Sequence, residues 1–272
     1  MAANQANPRT YLMCPPEHFA VEYAINPWMN PDDPPDTALA MRQWRQLRDT
    51  FARLGHTVHT IDPLPGLPDM VFAANGATVV GGTALGARFR YPQRAAEGAA
   101  YLSWFARNGY RAVAPGSVNE GEGDIVFAER VILAGHGYRT EPAAAAEAAA
   151  LFGLPVMPLR LVDPRFYHLD TALCVLDPDT VAYYPAAFDD ASRAALASHF
   201  ATLVEAKDED AEVLGLNAVS DGQHVVLPIQ AAGLAAQVAD KGFEPVGVDV
   251  SEFRKAGGGP KCCTLEIRTG RT

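Results

Sequence analysis

No stretch of this chain approaches the roughly 18 consecutive apolar residues that a bilayer-spanning helix needs, so a membrane role is not expected. Basic residues are scarce as well: 22 Lys and Arg face 32 Asp and Glu, for a formal net charge of −10. No Lys/Arg cluster supplies the electrostatic footprint of a nucleic-acid binder, so nucleic acid is not an expected partner. Neither a GxGxxG nor a Walker-type glycine loop is present, which removes the sequence support for nucleotide binding. Cysteine is limited to four residues, Cys14, Cys174, Cys262 and Cys263. They show no CxxC spacing, and an adjacent pair cannot bridge without strain, so neither a disulfide framework nor a zinc knuckle is expected. The first ten residues are polar and lack an apolar signal core. Together with reduced thiols, that points to a cytoplasmic protein.

What is present is a core-forming composition, 49% hydrophobic over 272 residues, and a segment that recurs. An amphipathic helical stretch, often closed by glycine, runs into a short β-branched strand. Ala40, Trp44, Leu47 and Phe51 lead to Gly55 and His56–Ile61. Ala96, Leu102 and Phe105 lead to Gly109 and Tyr110–Val113. The Ala-rich Pro142–Phe152 leads to Gly153 and Leu154–Leu159. Ala191–Thr202 continues into Leu203–Glu205 without a glycine, and Ala231–Lys241 leads through Gly242 to Phe243–Val248. Glycine suits such a position because a helix often ends on one left-handed residue.

Between these copies lie shorter apolar runs that read as paired strands: Asp69–Phe72, Ala77–Val80, Ile125–Phe127, Val131–Ala134, Thr171–Leu176, Val181–Tyr184, Ala218–Ser220 and His224–Leu227. A doubly wound sheet would account for one helix per strand but not for two or three strands per helix. A unit of roughly 45 residues repeated five times predicts a closed α/β ring in one domain spanning residues 1–272. The loops of every unit would then meet at a central mouth, a natural place for chemistry.

Three segments carry reactive groups beside turn glycines. Gly257-Gly-Gly-Pro-Lys-Cys262-Cys-Thr-Leu265 delivers a thiol to the start of a strand, with Lys261 placed to lower its pKa; the competing view is a pair of buried structural thiols. In Arg165-Phe-Tyr-His168-Leu-Asp170, a strand would put His168 and Asp170 on one face, as an acid–base group beside a carboxylate. Asn119-Glu120-Gly-Glu122-Gly-Asp124 groups three carboxylates that suit a metal or a cationic ligand, although calcium-loop spacing is absent. Taken together they form a nucleophile, a proton carrier and orienting groups supplied by different repeats.

These ordered motifs resemble those of the guanidino-group modifying enzymes, the superfamily of arginine deiminase, dimethylarginine dimethylaminohydrolase, arginine dihydrolase and the amidinotransferases. Pro68-Asp-Met-Val-Phe-Ala-Ala-Asn75 resembles the first substrate loop, and Glu120–Asp124 the acidic glycine motif. His168-Leu-Asp170 resembles the His-x-Asp motif, and Gly258–Thr264 the nucleophile loop. The resemblance covers nearly the whole chain. It implies a five-bladed α/β propeller of the pentein type with pseudo-fivefold symmetry, and no metal or organic cofactor.

By the same resemblance Cys262 is the nucleophile, with Cys263 its strand neighbour, and His168 the general acid and base. Asp170 would hold the guanidinium, and Glu120 would do the same or orient the histidine. The acidic motif is one residue longer than the family's, which leaves Glu120 and Glu122 as alternatives. Asp69, Phe72, Asn75 and Asp124 belong to the substrate-binding set, and Arg94 and Arg139 match positions that take the substrate α-carboxylate. The implied partner is a small cationic guanidino compound; homo-oligomerisation is left open.

Asn75 stands where many family members carry Asp. An amide hydrogen-bonds a neutral urea as donor and acceptor. The related arginine dihydrolases resemble this chain at Asn75 and in Tyr23–Met29, so hydrolysis to ornithine competes with hydrolysis to citrulline. An amidinotransferase and a catalytically inactive arginine sensor complete the alternatives.

Overall fold

The computed structural model describes residues 5–268 and shows a mixed α/β protein. Strand β1 (Thr10–Met13) pairs in parallel with β2 (Thr57–Thr60), which follows the helix Thr37–Arg53. The next unit contains β3 (Ala77–Val80), β4 (Thr83–Gly86), the helix Ala95–Arg107 and β5 (Arg111–Val113). Here β3 and β4 are antiparallel, and β5 joins β4 in parallel. The same order returns in β6 (Ile125–Ala128), β7 (Val131–His136) and β8 (Val156–Arg160). It returns again in β9 (Leu173–Asp177), β10 (Thr180–Tyr183) and β11 (Thr202–Glu205). The last full copy is β12 (Val219–Ser220), β13 (His224–Pro228) and β14 (Glu244–Val248). Strand β15 (Leu265–Arg268) then pairs antiparallel with β1, which gives the first unit its third strand. It also pairs in parallel with β3, so these two units form one six-stranded sheet.

The hairpin-then-crossover order has a simple origin. Antiparallel neighbours need only a tight turn, whereas a parallel neighbour needs a crossover long enough to hold a helix. Each unit therefore spends its helix on the parallel step. Helix Thr37–Arg53 begins at Asp36, whose carboxylate accepts the Leu39 N–H at 2.9 Å, and it buries Ala40, Trp44, Leu47 and Phe51 along one stripe. Helix Ala143–Phe152 closes on Gly153 at φ 69°, the left-handed cap its sequence predicts. Strand β3 is buried on both faces, while the outermost β2 and β5 are largely exposed.

Three expectations change in detail. Asp69–Phe72 is not a strand: Pro68–Val71 and Ala73–Gly76 form two consecutive 3-10 turns. Proline fixes φ and removes a donor, so it starts a tight turn here rather than a ladder. Thr171 lies in a helical turn, Leu169–Ala172, and the strand after it starts at Leu173. The strand expected to start beside the thiol starts at Leu265, after the turn that carries Cys262 and Cys263. Among the described residues no helix is long and apolar enough to cross a membrane.

Candidate active site

The thiol of Cys262 lies at the end of the glycine-rich turn and is 2% exposed. It lies among Val71, Phe72, Phe253 and Ala256 of the apolar core but has two polar neighbours. Its sulfur is 3.3 Å from Asp170 Oδ2 and accepts an N–H from Asn217 Nδ2 at 3.0 Å. Burial pushes the thiol pKa well up, and the Asp170 charge adds to the effect. The expected help from Lys261 does not arise. Its ammonium is 2.7 Å from Glu122 Oε2 and also donates to the Thr264 carbonyl at 2.9 Å, so its charge is spent on another carboxylate.

His168 and Asp170 reach the site by a different route from a shared strand face. His168 is extended, and Asp170 lies in the helical turn that follows. Thr171 caps that turn by donating its hydroxyl to the His168 carbonyl at 2.7 Å. The imidazole Nε2 is 2.7 Å from Glu120 Oε2, and Arg139 Nη1 is 2.8 Å from the same oxygen. Burial works against ionisation of Glu120, but Arg139 and His168 outweigh it and hold the carboxyl well below the usual range.

The choice between the two glutamates follows from their partners. Glu122 is engaged by Lys261 and Arg268 and accepts the Glu266 N–H at 2.9 Å. Asp124 turns elsewhere again, accepting the Leu169 N–H at 3.0 Å, which anchors the His168–Asp170 turn. Burial raises its pKa to about 6. The three carboxylates thus diverge, against the metal reading. Among the described residues no group of three or more His, Cys, Asp or Glu side chains is arranged to hold an ion.

The turns Pro68–Val71 and Ala73–Gly76 pack beside these groups. Asn75 Oδ1 accepts from Arg94 Nη1 at 2.9 Å. Its amide nitrogen lies against Gly123, where a Cβ would come within 2.4 Å of Nδ2 and 3.2 Å of the His168 ring, so only glycine permits the approach. Arg94 forks onto Glu97 through Nε at 3.0 Å and Nη2 at 2.8 Å. Asp69 Oδ2 accepts the Tyr23 hydroxyl at 2.8 Å. Phe72 packs in an aromatic group with Phe19 and Phe253, at ring separations of 5.7 and 6.4 Å.

Arg139 is held between the rings of Tyr91 and Tyr167, 4.8 and 4.6 Å from its guanidinium, and donates to the Ile25 carbonyl at 3.0 Å. The segment Phe19–Met29 is thereby pinned beside the site, with Asn26 Nδ2 donating to the Ala256 carbonyl at 3.0 Å.

Among the described residues, Asp69 Oδ1, Asp124 Oδ2, His168 Nδ1 and Asp170 Oδ1 are buried side-chain atoms of this group without a protein partner. Buried polar atoms of this kind take their hydrogen bonds from ordered water or from a ligand. Asn217 is the residue that local sequence did not mark. It is fully buried and joins two elements only after folding.

Glu120 yields a direct test. Glu120→Gln keeps the side-chain shape but leaves the buried Arg139 facing a neutral amide. A cost of roughly 2–4 kcal/mol in stability at neutral pH is expected. Because the native carboxyl is held low, the difference between parent and variant should shrink as pH falls through the ordinary carboxylate range, and denaturant unfolding over a pH series measures it.

A mixed α/β fold that buries a thiol beside Asp170 and an imidazole beside Glu120 fits a hydrolase of the guanidino-group modifying class, the class that the similarities to known proteins show. The family model described as N,N dimethylarginine dimethylhydrolase, eukaryotic, matches residues 16–269, and the chain belongs to that family. It is 55% identical over 259 residues to the N(G),N(G)-dimethylarginine dimethylaminohydrolase of Mycobacterium tuberculosis, covering 95% of this chain and 86% of that one. It is 35% identical over 263 residues to the bifunctional arginine dihydrolase/ornithine cyclodeaminase ArgZ of Synechocystis sp., covering 94% of this chain but 37% of ArgZ. The crystal structure of the N-terminal domain of ArgZ bound to product superposes with a TM-score of 0.90 at 33% identity, covering 96% of this chain and 98% of that domain.

Proposed function

We propose that this chain removes an amine from the guanidino group of free Nω-methylated arginine, or of arginine itself, and leaves citrulline. The carrying observation is the contact of the Cys262 sulfur with Asp170 inside buried surroundings that also hold the His168–Glu120 pair. A buried site this rich in carboxylate oxygen suits a cation. When the guanidinium enters, its charge replaces the thiol proton, which leaves to solvent. The thiolate then attacks the guanidinium carbon and forms a C–S bond. His168, as imidazolium against Glu120, protonates the departing amine as its C–N bond breaks. The same imidazole takes a proton from water, whose oxygen adds to the carbon, and the C–S bond breaks to give the ureido product. As the C–S bond breaks, the added hydroxyl gives its proton to the leaving sulfur, so the thiol is restored and the product departs neutral.

In this reading Asp170 and Asp69 hold the guanidinium, Phe72 and Asn75 wall the pocket, and Asp124 keeps the His168 turn in place. Arg94 and Arg139 take the α-carboxylate. The five strand units, each an antiparallel pair plus one parallel strand, support a five-bladed propeller closed by β1 and β15. They also support one catalytic domain over the chain. The four free thiols are consistent with a cytoplasmic setting.

Asn75 favours a second reading, arginine dihydrolase, because its amide can serve a neutral ureido intermediate, and ArgZ is a relative of that name. Product analysis separates the two. Incubation with monomethylarginine or dimethylarginine is expected to release citrulline with methylamine or dimethylamine. Ornithine with two equivalents of ammonia from arginine would establish the dihydrolase instead. Product formed only with an added acceptor amine would mark a transferase, and binding without turnover a sensor.

A further inference from the structure

Asn217 is bound to the reacting sulfur on one side and to the backbone of the nucleophile on the other. Its Oδ1 accepts the Cys262 N–H at 3.0 Å, and its Nδ2 donates both to the Asp170 carbonyl at 3.0 Å and to Cys262 Sγ at 3.0 Å. The amide can take only one orientation. A backbone N–H demands an acceptor and a backbone carbonyl demands a donor, so turning the amide over would break both bonds. The sulfur consequently meets an N–H that it can only accept.

The surroundings fix the amide further. The main-chain carbonyl of Asn217 accepts the Lys261 N–H at 3.2 Å, and its main-chain N–H donates to the Leu214 carbonyl at 2.9 Å, which holds the residue in place. At Gly259 a Cβ would come within 2.8 Å of Asn217 Oδ1, so the nucleophile turn has glycine where the amide approaches it. Residue 217 precedes the hairpin β12–β13, whereas Cys262 precedes β15, so the contact ties the nucleophile to a neighbouring unit.

Resting on Cys262 as the nucleophile, we propose that Asn217 is a further residue of the reaction, donating to the sulfur so that the thiolate forms in place and faces the guanidinium carbon. A hydrogen bond to the charged form favours that form. Asp170 beside the same sulfur opposes it until the cationic substrate arrives. Asn217 therefore supplies the donor that stays in position whether or not substrate is bound.

The test compares Asn217→Asp and Asn217→Ala with the parent by iodoacetamide alkylation across pH, with mass mapping of the labelled cysteine and steady-state kinetics on methylarginine. Asn217→Asp is isosteric but puts an anion and an acceptor where the donor was. The inflection for Cys262 alkylation is expected to move to higher pH in both variants, further in Asn217→Asp. Alkylation at neutral pH should slow by about tenfold or more, and kcat should fall by about 100-fold while KM changes by less than about threefold.

An unshifted alkylation profile at Cys262 in a folded variant overturns the role of Asn217 and leaves the nucleophile assignment intact. A loss confined to KM overturns it as well. Labelling of Cys263 in place of Cys262 in the parent enzyme overturns the nucleophile reading and this proposal together. Should Asn217→Asp not fold, Asn217→Ala carries the same comparison without the added charge.

Discussion

Cys262→Ser is expected to reduce turnover by at least about 10^4-fold, because a serine hydroxyl is a far weaker acid than the thiol and lacks the sulfur's intrinsic nucleophilicity. Cys263→Ser should keep most of the activity. The two thiols are adjacent in sequence but differ in surroundings. Both are buried and burial raises both thiol pKa values, but the Cys262 sulfur has Asp170 and Asn217 as polar partners. Steady-state turnover of both variants, with trapping of the covalent intermediate by rapid acid quench and mass spectrometry, checks the assignment. A parent adduct on Cys263, or full activity in Cys262→Ser, would overturn it. The contrast tests position rather than chemistry, since the two side chains are identical.

Asp170→Asn should produce opposite effects on activity and stability. Burial raises the pKa of Asp170 from 3.8 to about 7, against the opposing pull of Lys261 and the hydrogen bonds from Cys262 and Asn217. Between those values the folded protein holds a proton that the unfolded chain has released, so stability falls as pH rises through that window. Keeping the carboxylate ionised above about pH 7 costs the native state roughly 2–4 kcal/mol. The amide removes that cost. Asp170→Asn is expected to be more stable than the parent by about 2 kcal/mol near pH 8, with the advantage vanishing toward about pH 4.

Turnover should meanwhile drop by about 10^3-fold, because the variant lacks the anion that faces the incoming guanidinium. Thermal unfolding at several pH values and initial-rate kinetics measure the two effects. A variant less stable than the parent at pH 8 would contradict the assignment of an energetically costly, function-serving carboxylate. Active-site charge kept at the expense of stability is a familiar trade-off.

Much of the architecture was legible before any coordinates because its signals are local. The helix of Trp44, Leu47 and Phe51 shows its buried stripe in the spacing of those residues, and the glycine after Phe152 marks the helix end by its backbone freedom. Pro68 is also local, yet Asp69–Phe72 was misread, because a short apolar run looks the same in a strand and in a tight turn. His168-x-Asp170 shows the limit of spacing arguments. The pair was legible as chemistry, but the period-of-two inference failed because a helical turn starts between the two residues.

By itself the amino-acid sequence determined the repeated helix-then-strand order, the reactive groups and the acidic balance, all of which depend on residue identity and on neighbours a few positions away. Only the tertiary structure decided which groups meet. It gave Glu120 to His168 and Arg139, turned Glu122 toward Lys261 and Arg268, and brought Asn217 to the sulfur across 45 positions. Pairings of this kind arise from how separate units pack against one another, and no short-range pattern encodes the outcome.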